Sequence, residues 1–322
     1  MKKSKEKQYD IHEDYQGLPR ITLNFFSVQI PIINGLHAII RKFSALNLPK
    51  DVLSKTIKID REDGPPIKSI MFEPRDKQGK KPLLVYFHGG GFAITYSKKH
   101  IEFCRKYAIQ TGCSVMLVDY RLTPMNGFPK PFNDGYTSLE WAISNADTLN
   151  IDKSKIAVGG DSAGGCIAAG VAQKSLDNNL KLCGQLLVYP ALDYRCITES
   201  ANIYKDVPIW NSESNRRMWK AYLGNSSPWA IPEYASPGLR ENLFGLPDTY
   251  IETAEFDPLR DEGKLYSEKL TSANVVVTTN NTKKTVHGYD SWGKSNKYSQ
   301  RAFIARIEFL KKIFSKPLID QS

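Results

Sequence analysis

The sequence predicts an α/β fold: a mostly parallel sheet of eight strands with helices on both faces and a helical cap. Short apolar, β-branched runs alternate with segments of helical length and spacing. Most successive runs lie too far apart in the chain for hairpins, so they pair in parallel through right-handed crossovers. The third observation is one of scale, since 322 residues with 41% apolar side chains suffice for one large core between two helix layers.

In chain order, strands are expected at 56–60 and 67–72, joined as a hairpin through Asp63-Gly64-Pro65-Pro66. The others fall at 83–88, 114–120, 155–159, 185–189, 249–252 and 275–278. Leu139, Ala142, Ile143 and Ala146 recur at helical spacing, as do Phe303, Ile307, Leu310 and Phe314, and both stripes read as core faces. Ile32, Leu36, Ile39 and Phe43 form a similar stripe behind Pro31, with Arg41-Lys42 on the other face. The favoured reading is a helix packed on the body by that stripe; a mobile lid and a membrane-surface helix are the alternatives. One domain is expected over 1–322, with its cap built from about 1–50 and 194–242. The second cap segment holds Trp210, Trp219 and Trp229 with Tyr194, Tyr204 and Tyr222, either as walls of an apolar pocket or as the cap's own small core.

A net charge of +10 comes from basic residues interspersed with acidic ones, apart from a lysine-rich first seven residues. That pattern supports solubility and weak attraction to anionic surfaces, and it excludes nucleic-acid binding as a leading function. No apolar run reaches membrane-spanning length and no signal-type apolar core follows Met1, so a cytoplasmic protein without stable membrane insertion is expected. Cys104, Cys113, Cys166, Cys183 and Cys196 are odd in number and lack paired spacing, which indicates neither a disulfide framework nor a metal site. Cys166 reads as a buried thiol.

Chemistry concentrates in three pieces. Residues 155–158 form a short apolar strand that runs into Gly160-Asp161-Ser162-Ala163-Gly164 and then a small-residue helix. A G-x-S-x-G at a strand-to-helix turn is a nucleophile elbow, with the serine in a strained conformation and glycines where side chains would clash. Upstream, the apolar strand ending at Phe87 leads directly into His88-Gly89-Gly90-Gly91. Fixed N–H donors facing a developing oxyanion lower an acyl-transfer barrier by roughly 3 kcal/mol each. The expected hole combines Gly90, with Gly89 or Gly91, and the N–H of Ala163. His88, at the strand end before the glycines, reads as a support of that loop rather than as the base.

The base must come from the remaining histidines. His12 lies in a charged tail, His37 on an apolar helical stretch and His100 early in a surface-type helix. His287 follows a strand and is the candidate. The acid should precede it, and Asp257 stands at a strand end with Pro258 opening the next helix. Asp261 and Glu262 read as first-turn charges favoured by that helix's dipole. The order Ser162, Asp257, His287 is the α/β-hydrolase order.

With these residues the chain resembles the hormone-sensitive-lipase family of α/β-hydrolases, which includes bacterial acetyl esterases and short-chain carboxylesterases. Asp119-Tyr120-Arg121-Leu122-Thr123-Pro124, Phe128-Pro129, Asp134, Ala235-Ser236-Pro237, Leu246-Pro247 and Asp257 to Gly263 extend the match over roughly 65–315. Thr123 and Met125 depart from the Ala and Glu usual there. The resemblance implies a cap that narrows the acyl pocket, hence a serine esterase for small-molecule esters of short, acetyl-like acyl chains, with no metal or organic cofactor. Amide cleavage of the arylacetamide-deacetylase type is one alternative. A ligand receptor on a disabled hydrolase is another, against which all three triad positions are filled. The final helix, 296–314, offers a homodimer surface, although its stripe is already accounted for by the core.

Overall fold

Eight strands hydrogen-bond into one sheet in the computed structural model, which describes residues 9–44, 52–75, 79–224, 226, 230–292 and 296–316. They are β1 (Val52–Ile59), β2 (Ile67–Pro74), β3 (Lys81–Phe87), β4 (Ser114–Asp119), β5 (Ile151–Asp161), β6 (Gly184–Val188), β7 (Thr249–Phe256) and β8 (Val277–Val286). Their order across the sheet is β1-β2-β4-β3-β5-β6-β7-β8. The expected hairpin forms, with Ile59 opposite Ile67, and β2 runs antiparallel to both β1 and β4. Every pairing from β4 to β8 is parallel.

Among the described residues ten α-helices connect or flank these strands: α1 (Glu13–Gln16), α2 (Gln29–Ser44), α3 (Lys98–Thr111), α4 (Lys130–Ser144), α5 (Ala163–Asp177), α6 (Glu199–Ile203), α7 (Ser212–Leu223), α8 (Arg260–Ser272), α9 (Tyr289–Trp292) and α10 (Lys297–Ser315). The fully buried β3 shows why the sheet needs two helix layers. Leu83, Val85 and Phe87 enter a core shared with α4, α5 and α8, whereas Leu84 and Tyr86 enter a second core shared with α3 and α10. Side chains alternate faces along a strand, so a continuously apolar run must be covered on both sides.

β1 begins at Val52 and β5 at Ile151, before their expected starts, and β7 runs on to Phe256. β8, expected to end at Thr278, continues to Val286. Its second half, Thr279 to Thr285, is polar and forms an edge of the sheet, where one flank and much of the surface face water; apolar content therefore cannot announce it. The stripe of α2, expected to be its packed face, is turned outward: Ile32, Leu36 and Ile39 are each more than half exposed. Trp229, residues 1–8 and 45–50 of the expected cap, and the side chains of Lys42 and Phe43 lie outside the described residues. No described helix is long and apolar enough to cross a membrane.

Candidate active site

The site is assembled where parallel strands end. Ser162 follows the last residue of β5, Asp257 follows β7, His287 follows β8 and His88 follows β3. β5 and β7 are separated only by β6, so at about 4.8 Å per strand spacing the serine and aspartate stand roughly 10 Å apart. One imidazole spans that gap.

Ser162 has φ 55° and ψ −120° and immediately precedes α5. This left-handed backbone is costly for a residue with a Cβ and is held by its surroundings. A Cβ on Gly164 would lie 2.1 Å from the carbonyl oxygen of Phe87, so the turn closes only over glycine. The Ser162 N–H donates to Val188 O (2.9 Å) and its carbonyl accepts from Ala191 N–H (3.1 Å). Those bonds leave Oγ 2.8 Å from His287 Nε2.

His287 Nδ1 is 2.7 Å from Asp257 Oδ2. With the ring proton on Nδ1 donating to the carboxylate, Nε2 is left to accept from the serine hydroxyl. Asp257 is fully buried; its Oδ1 accepts from Leu259 N–H (2.9 Å) and its carbonyl from Arg260 N–H (3.0 Å). The first turn of α8 thus aims the carboxylate. Asp261 accepts instead from Ser200 N–H (2.8 Å). Glu262 is not the exposed first-turn charge that its position implied: it is buried, and Oε1 accepts from Leu192 N–H (2.7 Å). It shares a helical stripe with Tyr266 and Leu270, both buried, and burial pushes its carboxyl well above the ordinary range.

Gly90 (φ 112°) and Gly91 (φ 60°) carry the chain away from β3 in left-handed conformations. A Cβ on Gly91 would touch Phe25 at 2.9 Å and Trp210 at 3.1 Å. Among the described residues no hydrogen bond occupies the N–H groups of Gly89, Gly90 or Gly91, and Ala163 supplies one of the first-turn N–H groups that an α-helix leaves unpaired. His88 is fully buried; its Nδ1 contacts Gly89 O (2.7 Å) and its ring stacks on Tyr120 at 4.3 Å. Burial lowers its pKa to about 3. It therefore stays neutral under the glycine loop.

The aromatic residues of the second expected cap segment divide between roles. Trp210 faces the site, its ring 5.6 Å from that of His287 and 6.1 Å from Phe25 of the N-terminal segment. Trp219 and Tyr222 pack on Phe92, Tyr222 in a 3.7 Å stack. Tyr204 instead joins Tyr9 and Phe256. The N-terminal segment lies against the same region: Ile209 N–H donates to Pro19 O (2.9 Å) and Leu23 N–H to Ser214 Oγ (3.1 Å). Cys166 is buried, and desolvation pushes its thiol well above the ordinary range.

Two polar networks beside the site escaped the sequence reading. His100, expected on a surface, is buried: Nδ1 accepts from Ser97 N–H (2.9 Å), leaving Nε2 to donate to Asp161 Oδ2 (3.2 Å). Asp161 also accepts from Tyr86 O–H (2.9 Å), and a Cβ on Gly89 would run into Asp161 Oδ2. That cluster ties the Ser162 turn to the glycine loop. On the other side, Arg306 of α10 bonds Glu252 and Asp290 (2.7 Å), Tyr189 donates to Asp290 (2.7 Å), and the Tyr189 ring packs edge-on to His287 at 4.9 Å. An arginine within a lysine-rich helix gives no sequence sign of burial.

Residues 84–291 match the family described as alpha/beta hydrolase fold. The chain is similar to Esterase LipI of Mycobacterium tuberculosis, 33% identical over 268 residues that cover 81% of this chain and 83% of that protein. It is equally similar to Carboxylesterase NlhH of the same species, 33% identical over 290 residues, 86% and 89% of the two chains. Among solved structures it resembles a Bacterial Heroin Esterase, with a TM-score of 0.84 and 34% identity over 93% of this chain and 95% of that one.

Proposed function

The chain belongs to the hormone-sensitive-lipase type of α/β-hydrolases and is a carboxylic ester hydrolase, and from that premise we propose that it cleaves short-chain, acetyl-like acyl esters through Ser162, His287 and Asp257. The observation that carries this reading is the unbroken hydrogen-bond chain from Ser162 Oγ through His287 to buried Asp257, at 2.8 and 2.7 Å.

In the proposed cycle His287 Nε2 takes the hydroxyl proton as Ser162 Oγ attacks the ester carbonyl. Asp257 holds the tautomer and stabilises the imidazolium. The oxyanion is bound by Ala163 N–H with Gly90 and Gly91 N–H, Gly89 being the alternative partner, while His88 keeps the loop in shape. The proton then passes to the departing alcohol, and water activated by His287 releases the acid from the acyl-serine.

Preference for short acyl groups is supported by the crowding around Gly91, where Phe25 and Trp210 both stand at contact distance. They would act as walls contributed by a cap made of residues 1–50 and 194–242 on a single domain of 1–322. Turnover of a p-nitrophenyl ester series should fall as the acyl chain lengthens, and rates that rise toward long chains would overturn the acyl preference. Ser162→Ala or His287→Ala should lower turnover by on the order of 10⁴-fold or more. A fluorophosphonate probe should label the wild type and not Ser162→Ala; labelling of both would show that another residue is the nucleophile.

A further inference from the structure

Beyond Ile30, which is buried in the core, helix α2 is mounted with its polar side inward. Asn34 Nδ2 donates to Ala93 O (2.9 Å) and its Oδ1 accepts from Thr95 N–H (2.9 Å). Arg41 donates to Thr95 Oγ1 (3.3 Å), with its guanidinium 4.1 Å above the Tyr96 ring. Meanwhile Ile32 (59% exposed), Leu36 (53%), Ile39 (56%) and Ile40 (47%) point to solvent along one stripe. Just before the helix, Phe26 (62%) and Val28 (75%) are exposed as well. Phe26, Val28 and Pro31 line a groove of about 630 Å³ together with Met125 (89%), Lys68 and Asp119. Single exposed apolar side chains are ordinary on a protein surface, but four on one face of a helix mark a contact surface.

Charge identifies the occupant. Lys98 and Lys99 are exposed at the start of α3, two and three residues beyond the Tyr96 ring that Arg41 covers, and exposed Lys68 lines the groove. Lys99 pairs with Glu102 at 3.0 Å, and Asp63 beside the groove is held by Arg121 at 2.8 Å. A net charge of +10 opposes seating a second copy face to face and favours an anionic surface. A helix with an apolar stripe and cations at its margin lies in the plane of a lipid interface, its stripe about 5–10 Å into the headgroup and acyl boundary.

We propose that α2, with Phe26, Val28 and Met125, docks the protein on anionic lipid bilayers, the stripe entering the interface while Lys68, Lys98 and Lys99 engage lipid phosphates. The site is peripheral and needs no spanning segment. It stands independently of the acyl preference and of the catalytic roles above.

Co-sedimentation of the full chain with vesicles of phosphatidylcholine alone, and of an equimolar mixture with phosphatidylglycerol, tests it. Binding should be strong to the mixed vesicles, weak to the neutral ones and reduced by added salt. Lys98→Glu and Lys99→Glu should each weaken it about fivefold or more. The combined variant Ile32→Gln, Leu36→Gln, Ile39→Gln should abolish it with the thermal midpoint unchanged, because those side chains are already in water. No binding by the wild type, or binding that the triple variant retains, would overturn the proposal. So would a fall in midpoint, which would mean the stripe is packed. A wild-type dimer in sedimentation velocity that the same variant dissociates would assign the stripe to a second copy instead.

Discussion

Helices α2 and α10 carry apolar stripes of the same spacing and meet opposite fates. In α10, Ile307, Leu310 and Phe314 are buried against the sheet, with Phe303 packed on the same core. In α2, Ile32, Leu36 and Ile39 face water while Asn34, His37 and Arg41 bond the loop at 93–96. Helical periodicity defines a face without defining what that face meets. The difference lies in the surfaces on offer: α10 crosses β6, β7 and β8, whose side chains on that face include Leu186, Val188 and Tyr250, whereas α2 meets a loop that presents carbonyls, an N–H and a hydroxyl.

The contrast can be broken first at Arg306. In α10 this buried cation holds Glu252 and Asp290, so Arg306→Leu leaves a fully buried carboxylate uncompensated and should cost about 3–5 kcal/mol in denaturant unfolding. Arg41→Leu in α2, where the guanidinium lies over Tyr96 beside solvent, should cost no more than about 1 kcal/mol. Equal losses would mean that α2 belongs to the cooperative core.

Apolar truncation sharpens the same comparison. Leu310→Ala removes a side chain from the packed interior and should destabilise by about 2–5 kcal/mol, while Ile39→Ala should stay within about 0.5 kcal/mol. A large effect at Ile39 in urea titrations would show that its stripe is covered.

Acid titration separates the regions a third way, with a smaller effect near neutral pH. His88 in the body has its pKa lowered to about 3 by burial, so between about 6.5 and 3 the unfolded chain binds a proton that the folded one refuses. Stability contributed by the neutral ring is therefore complete above about pH 6.5 and lost as pH falls through that window. His37 on α2 is shifted in the same direction, again chiefly by burial, but only partly enclosed. Replacing His88 by Gln should flatten the pH dependence of unfolding more than His37→Gln does; the reverse ranking would contradict the burial of His88 behind β3 and the partial exposure of His37 on α2.

Much of the candidate site's placement was legible because strand ends and rigid turns leave local marks. Gly164 is required where a Cβ would strike a backbone oxygen, and Pro258 turns the chain toward α8 behind Asp257, so the Ser162 turn and the Asp257 strand end announce themselves in the residues that build them. His100 and Glu262 were misread for the complementary reason. Each stands among polar residues near a helix start, and only the neighbours that reach it from distant chain, Asp161 for one and Leu192 for the other, reveal that it is buried. Arg306 is a third case, since its partners Glu252 and Asp290 come from β7 and the start of α9.

By itself the sequence determined the alternation of strands and helices, the glycine-bearing turns and the three residues that converge at the ends of β5, β7 and β8. Those follow from local sterics and from the two-sided burial of apolar strands. The tertiary structure alone decided how far the polar edge strand β8 runs before His287, which buried charges are paired, and that α2 turns its apolar stripe outward. Each of these depends on the identity of the surface that an element meets, and that surface is assembled from residues far away in the chain.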